Sequence, residues 1–340
     1  MASPFGESRE VREKMNIMTL KNVKAFYVLE YWGEKRTIRA VNGVSLEVPE
    51  GEIFGIAGES GCGKSTLLKV LLSSIEPPLR LVEGKILYRV NGEERDVSSF
   101  REGELRRLRW SFVSYIPQGS MHVLNPVKRV RDTFLEVLES HLKGEERRKW
   151  LSLAVEHLKE LGLPPEVLTA FPHQLSGGMR QRVTIALATV LRPRVILADE
   201  PTTALDVVAQ RAVLQLLKRI HREQGCTIVL VTHDMGIHAQ LTTRMAIMYA
   251  GKIVEEGPTW EVFKSPLHPY TRHLIQSLPR IGDKSPRRGI PGNPPSLVSL
   301  PPGCAFHPRC PHASSRCAEE EPPLVEVREG HRVSCWLVRV

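Results

Sequence analysis

The chain has no long hydrophobic run. No part of its 340 residues approaches the roughly 18 uninterrupted apolar residues that a membrane span needs. Residues 1 to 18 read as a loose tail, too polar for a secretory signal, with Met15 and Met18 leaving the true start open. The chain is therefore expected to stay in the cytoplasm, held by partners if it works at a membrane. Long runs of one charge are missing too. The formal net charge is +9, but the basic residues are scattered, with short clusters such as Arg106-Arg107 and Arg147-Arg148-Lys149 in helix-like segments. Such spacing describes solvated helix faces better than a nucleic-acid footprint. Cysteine is scarce until residue 304. Before that come only Cys62 and Cys226, the second opening the apolar strand Thr227 to Val231 as a small buried hydrophobe. Cys304, Cys310, Cys317 and Cys335 then crowd into the last 40 residues. A reducing compartment disfavours disulfides, so the crowding points to metal. The close cysteine pairs of zinc ribbons are absent, because the gaps are 5, 6 and 17 residues. Spacing leaves zinc and an iron–sulfur cluster open.

What is present starts with 41% hydrophobic residues, enough for a large core in two or three lobes. The most informative stretch is Gly58 to Thr66, GESGCGKST, which fits G-x-x-x-x-G-K-[ST]. Its context is right: the apolar run Ile53 to Ala57 reads as a buried strand and Ser65 to Leu72 as a helix start. In such a loop the glycines (Gly58, Gly61, Gly63), with Ser60 and Thr66, turn backbone N–H groups toward polyphosphate oxygens, and the helix N-terminus adds positive potential. Lys64 reaches the outer phosphates and the Ser65 hydroxyl ligates Mg2+.

Strand-like runs at Leu20 to Val28 and Arg39 to Val48, the second around a turn at Asn42-Gly43, suggest a β layer beside the nucleotide lobe. Gly84 to Val90 is another strand, followed by a turn at Asn91-Gly92. Phe112 to Pro117 is a further strand, ending at Gln118. Helical patterns then run to about residue 192, at Val130 to His141, Glu145 to Leu161 and Gly178 to Leu191. The strand Val195 to Ala198 ends in Asp199 and Glu200, placed to hold the Mg2+ shell and to polarise an attacking water. A helix over Asp206 to Gln224 and the strand Thr227 to Thr232 resume the parallel-sheet pattern. Leu175-Ser176-Gly177-Gly178-Met179 precedes a helix and offers a second anion site, suited to ATP held by another subunit. From Pro258 proline becomes dense. Only a short helix, about Tyr270 to Leu278, interrupts it, so a small appendage stapled by its cysteines is expected there.

The order P-loop, Gln118, LSGGM, Asp199-Glu200, Ala204-Leu205-Asp206 and His233 resembles the ATP-binding-cassette (ABC) ATPases over residues 20 to 257. By that resemblance Gln118 contacts Mg2+ and the attacking water, Asp206 lies at a dimer seam and His233 touches the γ-phosphate. Tyr31 best matches the residue that stacks on adenine, with Tyr27 the other candidate. Met179 departs from the glutamine usual at the end of the signature. A narrower resemblance, carried by Pro117-Gln118-Gly119-Ser120-Met121, Leu124-Asn125-Pro126, Ser265-Pro266-Leu267-His268-Pro269-Tyr270-Thr271 and the Pro-rich tail with its cysteines, is to the oligopeptide and dipeptide importers.

These resemblances imply an α/β fold: a P-loop (RecA-like) ABC ATPase core with an antiparallel β subdomain, an inserted helical subdomain and a small C-terminal Cys-rich metal-binding domain. The expected boundaries are a tail over 1–18, the nucleotide-binding domain over 19–260 with its helical part at about 100–192, and the C-terminal domain over 261–340. The implied function is ATP hydrolysis powering import of oligopeptides or dipeptides, or else oligosaccharides. A soluble ABC ATPase acting on the ribosome or nucleic acid is the alternative. Implied cofactors are ATP, Mg2+ and a [4Fe-4S] cluster on Cys304, Cys310, Cys317 and Cys335, with zinc as the alternative. His307, His312 and His331 are expected at the surface and not as ligands. Implied partners are a second ABC subunit, identical or homologous, two transmembrane permeases and an extracytoplasmic substrate-binding protein. No nucleic acid is expected, and the implied place is the cytoplasmic face of the membrane.

Overall fold

The computed structural model describes residues 15–119, 123–144, 149–278 and 289–338. The segment of the Gln118 region that carries Ser120 and Met121, the start expected for a helix at Glu145, and the Arg147-Arg148 pair lie outside them.

Two sheets organise the chain. The first is antiparallel, with β1 (Asn16–Tyr31), β2 (Glu34–Pro49), β4 (Leu79–Val90) and β5 (Glu93–Asp96) in the order β2-β1-β4-β5. Alternate residues of β2, among them Val44, Leu46 and Val48, are buried while their neighbours are exposed, as a half-buried strand requires. Its hairpin turn is not at Asn42-Gly43. Trp32 and Gly33, with φ of 52° and 82°, form a two-residue loop whose twist matches the strands on either side. Pairing steps from Val23↔Val44 to Lys24↔Asn42, so Gly43, at φ 74°, is a bulge inside one continuous strand.

The second sheet is mainly parallel. β3 (Ile53–Ala57) lies between β8 (Thr227–Val231) and β9 (Arg244–Tyr249), and β8 leads on to β7 (Val195–Asp199) and β6 (Val113–Ile116). Every residue of β3, β7 and β8 is buried, which is why these strands read as unbroken apolar runs. Helix α1 (Lys64–Leu71) follows β3 directly, so the phosphate-loop sequence spans the end of a central strand and the start of a helix. After β6 come α3 (Val130–His141), α4 (Trp150–Glu160) and α5 (Gly177–Thr189), which share a core through Phe134, Leu138, Ala154, Leu158 and Val183. In α6 (Val207–Gln224), Val213, Leu216, Leu217 and Ile220 form the buried face.

The C-terminal segment is more than an appendage. β10 (Lys252–Pro258) pairs antiparallel with β9, and β12 (His331–Val333) and β11 (Val325–Arg328) carry the same sheet outward, in the order β11-β12-β10-β9-β3-β8-β7-β6. Buried charge joins this hairpin to the core. The Glu255 carboxylate accepts the N–H groups of Leu267 and His268, each at 2.8 Å, and lies 2.8 Å from Nε2 of His331. Nδ1 of His331 faces Glu261, in α8 (Thr259–Lys264), at 3.1 Å. His331, expected at the surface, is therefore wholly buried between two carboxylates, while His307 is half-buried and His312 exposed. The strands VEVR and HRV are too short and polar to signal themselves, and only the open edge of β10 gives them a place.

Candidate active site

The phosphate loop is forced into shape by its neighbours. A Cβ on Gly58 would lie 2.2 Å from the carbonyl oxygen of Met248 in β9, and one on Gly63 would lie 2.0 Å from that of Ala40 in β2. Both residues also have φ in the left-handed region, 154° and 110°, so only glycine fits at either end of the loop. The buried Lys64 side chain folds back across it, and Nζ donates to the carbonyls of Gly58 and Glu59, each at 2.8 Å. Ser65 is the second residue of α1, and its hydroxyl donates to Oδ1 of Asp199 at 3.1 Å. Ser60, Gly61 and Thr66 complete the loop, and Thr66 Oγ1 lies 3.3 Å from the Tyr27 hydroxyl.

Asp199 ends β7 and is 2% exposed. Burial raises its pKa, while hydrogen bonds from Ser65 and Tyr115 oppose the rise. The Tyr115 hydroxyl donates to Oδ2 at 3.0 Å. Tyr115 went unnoticed in the sequence. Its place on β6, paired with β7, is what aims it at Asp199.

Glu200 follows in a left-handed conformation, φ 44°, uncommon for a residue with a side chain. Its backbone N–H donates to Val231 O at 2.8 Å, and its carboxylate is held from three sides. Gln118 Nε2 donates to Oε2 at 3.1 Å, the Thr203 hydroxyl donates to the same oxygen at 2.8 Å, and Nδ1 of His233 lies 3.0 Å from Oε1. Burial pushes the Glu200 pKa up, but the bonds to His233 and Thr203 outweigh it, and the carboxyl sits below its ordinary value. The carboxylate is thus ionised at neutral pH and can accept a proton. Thr203 is a second residue that sequence reasoning missed.

The remaining candidates are spread around this centre. Ser176 caps α5, its hydroxyl accepting the Met179 N–H at 3.3 Å, and Gly177 and Gly178 form the first turn. Asp206 caps α6, accepting from Ala209 at 2.8 Å, and a Cβ on Gly178 would come 3.2 Å from the Ala209 methyl, so the two helix starts pack together. Tyr31 ends β1 opposite Glu34, and its side chain lies outside the described residues. Tyr27 is the candidate tied to the loop, through Thr66.

The four late cysteines all line one small cavity, with His268, Phe306 and Trp336 among its other walls. Among the described residues, however, no three His, Cys, Asp or Glu side chains converge as metal ligands. The two observations are compatible, since lining a void demands less than pointing sulfurs at one centre. The expected metal-bound domain, whether iron–sulfur or zinc, is therefore not shown.

The sequence profile of the ABC transporter family matches residues 41–203, and that of the oligopeptide/dipeptide transporter C-terminal region matches residues 254–317. The dipeptide transport ATP-binding protein DppD of Caldanaerobacter subterraneus is 39% identical to this chain over 94% of its length and 97% of the relative's. The chain belongs to the ABC transporter family. This ABC ATPase is also 40% identical to DppD of Bacillus subtilis, over 88% of its own length and 90% of the relative's. Among solved structures it resembles the dimeric ATP-binding cassette MJ0796, in a post-hydrolysis state bound to ADP and Pi. The TM-score is 0.59 at 32% identity, covering 71% of this chain and 98% of that one. No helix among the described residues is long and apolar enough to cross a membrane.

Proposed function

We propose that this ABC ATPase is the subunit whose ATP hydrolysis powers uptake of dipeptides or oligopeptides through membrane permeases, working at the cytoplasmic face. One observation carries the hydrolytic part: an ionised Glu200 is gripped by Gln118, Thr203 and His233 beside the Ser65–Asp199 pair. Glu200 is the general base that takes the proton of the attacking water, His233 and Gln118 fix its carboxylate, and Lys64 and the loop N–H groups hold the phosphates. Ser65 Oγ and Asp199 offer hard oxygen donors side by side, and Gln118 is bonded to Glu200, the next residue after Asp199, which suits Mg2+. When bound, that ion neutralises charge on the phosphates. Ser176, Gly177, Gly178 and Asp206 are assigned to a second, identical or homologous subunit's ATP, since they form one surface of paired helix starts. Tyr27 or Tyr31 is left to stack on the base.

The peptide part rests on the C-terminal match and on relatives whose names give dipeptide transport. Neither match lends anything to oligosaccharide cargo or to a ribosomal or nucleic-acid role. The deciding experiment is uptake of a labelled dipeptide into vesicles that carry this chain, its permeases and a substrate-binding protein. Wild type should drive ATP-dependent uptake, and Glu200→Gln should bind ATP while turnover falls about a hundredfold or more. Full turnover in that variant removes Glu200 from its role.

The four cysteines are assigned a [4Fe-4S] cluster, with zinc the alternative, because four thiols border one cavity. Protein purified without oxygen should be brown, with iron and sulfide near four per chain. A colourless, zinc-loaded protein overturns the cluster.

A further inference from the structure

A carboxylate is an odd choice for the second position of a loop built to bind anions. Glu59 is nevertheless fixed at every polar atom. Its carbonyl accepts Lys64 Nζ at 2.8 Å, and its N–H donates to the hydroxyl of Tyr270, also at 2.8 Å. Tyr270 belongs to α9 (Pro269–Gln276) and is fully buried. The Glu59 carboxylate is gripped by the fork of Arg309, with Nη1 to Oε2 at 2.8 Å and Nη2 to Oε1 at 3.0 Å. Arg309 immediately precedes Cys310, and its side chain is only 5% exposed. Its other donors are also used: Nε reaches Pro291 O at 2.8 Å and Nη1 the Tyr249 hydroxyl at 3.2 Å. The C-terminal segment thus holds the phosphate loop by both its backbone and its side chain.

We infer that Arg309 and Tyr270 are positioning residues for the phosphate loop: Arg309 cancels and restrains the Glu59 charge, and Tyr270 anchors the Glu59 N–H. A bidentate guanidinium–carboxylate pair fixes geometry as well as charge. Without Arg309 the Glu59 carboxylate is an uncompensated negative charge on the phosphate-binding loop, so it opposes the polyphosphate through Coulomb repulsion. The inference rests on the reading of this loop as the ATP site. It adds that the C-terminal segment tunes that site.

The test is titration of the full-length chain with a fluorescent ATP analogue, alongside steady-state ATPase kinetics. Arg309→Met should weaken nucleotide binding about tenfold and raise KM, while kcat stays within about twofold. Arg309→Lys, which keeps the charge, should bind within about threefold of wild type. Adding Glu59→Gln to Arg309→Met should restore most of the lost affinity, because the charge to be cancelled is gone. The Arg309→Met defect should also shrink as salt rises. Tyr270→Phe should weaken binding about threefold. If Arg309→Met does not fold, Arg309→Gln serves in its place. Wild-type affinity in the charge-removing variant, Arg309→Met or Arg309→Gln, or a defect equally large in the Glu59→Gln background, overturns the inference. A wild-type chain that binds no nucleotide sinks the functional reading instead.

Discussion

Replacing Glu255 with leucine tests how the C-terminal hairpin is held to the main sheet. The Glu255 carboxylate is fully buried and serves three donors: the N–H groups of Leu267 and His268 and Nε2 of His331. Leucine is of similar bulk but accepts no hydrogen bond. The donors stay in place, so the change half-breaks a polar cluster and does not exchange it for an apolar core. A buried donor without a partner costs about 1–3 kcal/mol. Three donors near the low end of that range, the loop before α9 relaxing somewhat, come to about 4 kcal/mol. At about 2 °C per kcal/mol for a large domain, the melting temperature should fall by about 8 °C in scanning calorimetry. Glu255→Gln should fall in between, because its amide oxygen still accepts while its NH2 meets another donor. A leucine variant melting within about 1 °C of wild type would refute the reasoning and leave the hairpin held by its strand pairing alone.

Two further outcomes follow from buried polar groups. His238 and His268 are buried, and desolvation brings each imidazole down to about 4 from its ordinary 6.5. Above the ordinary value both are neutral folded or unfolded. Between there and about pH 4 the unfolded chain takes up two protons that the folded chain refuses, so these groups make stability fall with acid by about 2.7 kcal/mol per pH unit. Urea unfolding across that window measures the slope; His268→Gln should remove about half of it, and an unchanged slope contradicts the assignment. Tyr115→Phe deletes the hydroxyl bonded to Asp199, a bond to a charged group worth about 1.5–3 kcal/mol. The Mg2+ needed for half-maximal ATPase should rise about tenfold, and an unaltered Mg2+ dependence removes Tyr115 from the site.

The phosphate loop, the acids ending β7 and the caps of α5 and α6 were legible in the sequence because each is a local pattern with a local cause: glycines where a Cβ collides, an apolar run where helices cover both faces, a hydroxyl or carboxylate before a helix. What escaped depends on strand neighbours. Tyr115 acts on Asp199 only because β6 lies beside β7, and Arg309 reaches Glu59 from 250 positions further along the chain. Asn42-Gly43 carried a strong turn signal, yet β1 and β2 run on past it and absorb the glycine as a bulge. His331 was misplaced for a similar reason, since nothing near it in the sequence discloses the two carboxylates that surround it.

The left-handed backbone at Glu200 sets a limit on improving this protein. Holding a side-chain-bearing residue at φ 44° costs about 1–3 kcal/mol, and glycine would remove that cost at once. It would also remove the carboxylate that Gln118, Thr203 and His233 converge on. A search for more heat-resistant variants that ignored ATP turnover would therefore drift toward glycine at position 200 and discard the carboxylate to which the proposed hydrolysis assigns the proton of the attacking water.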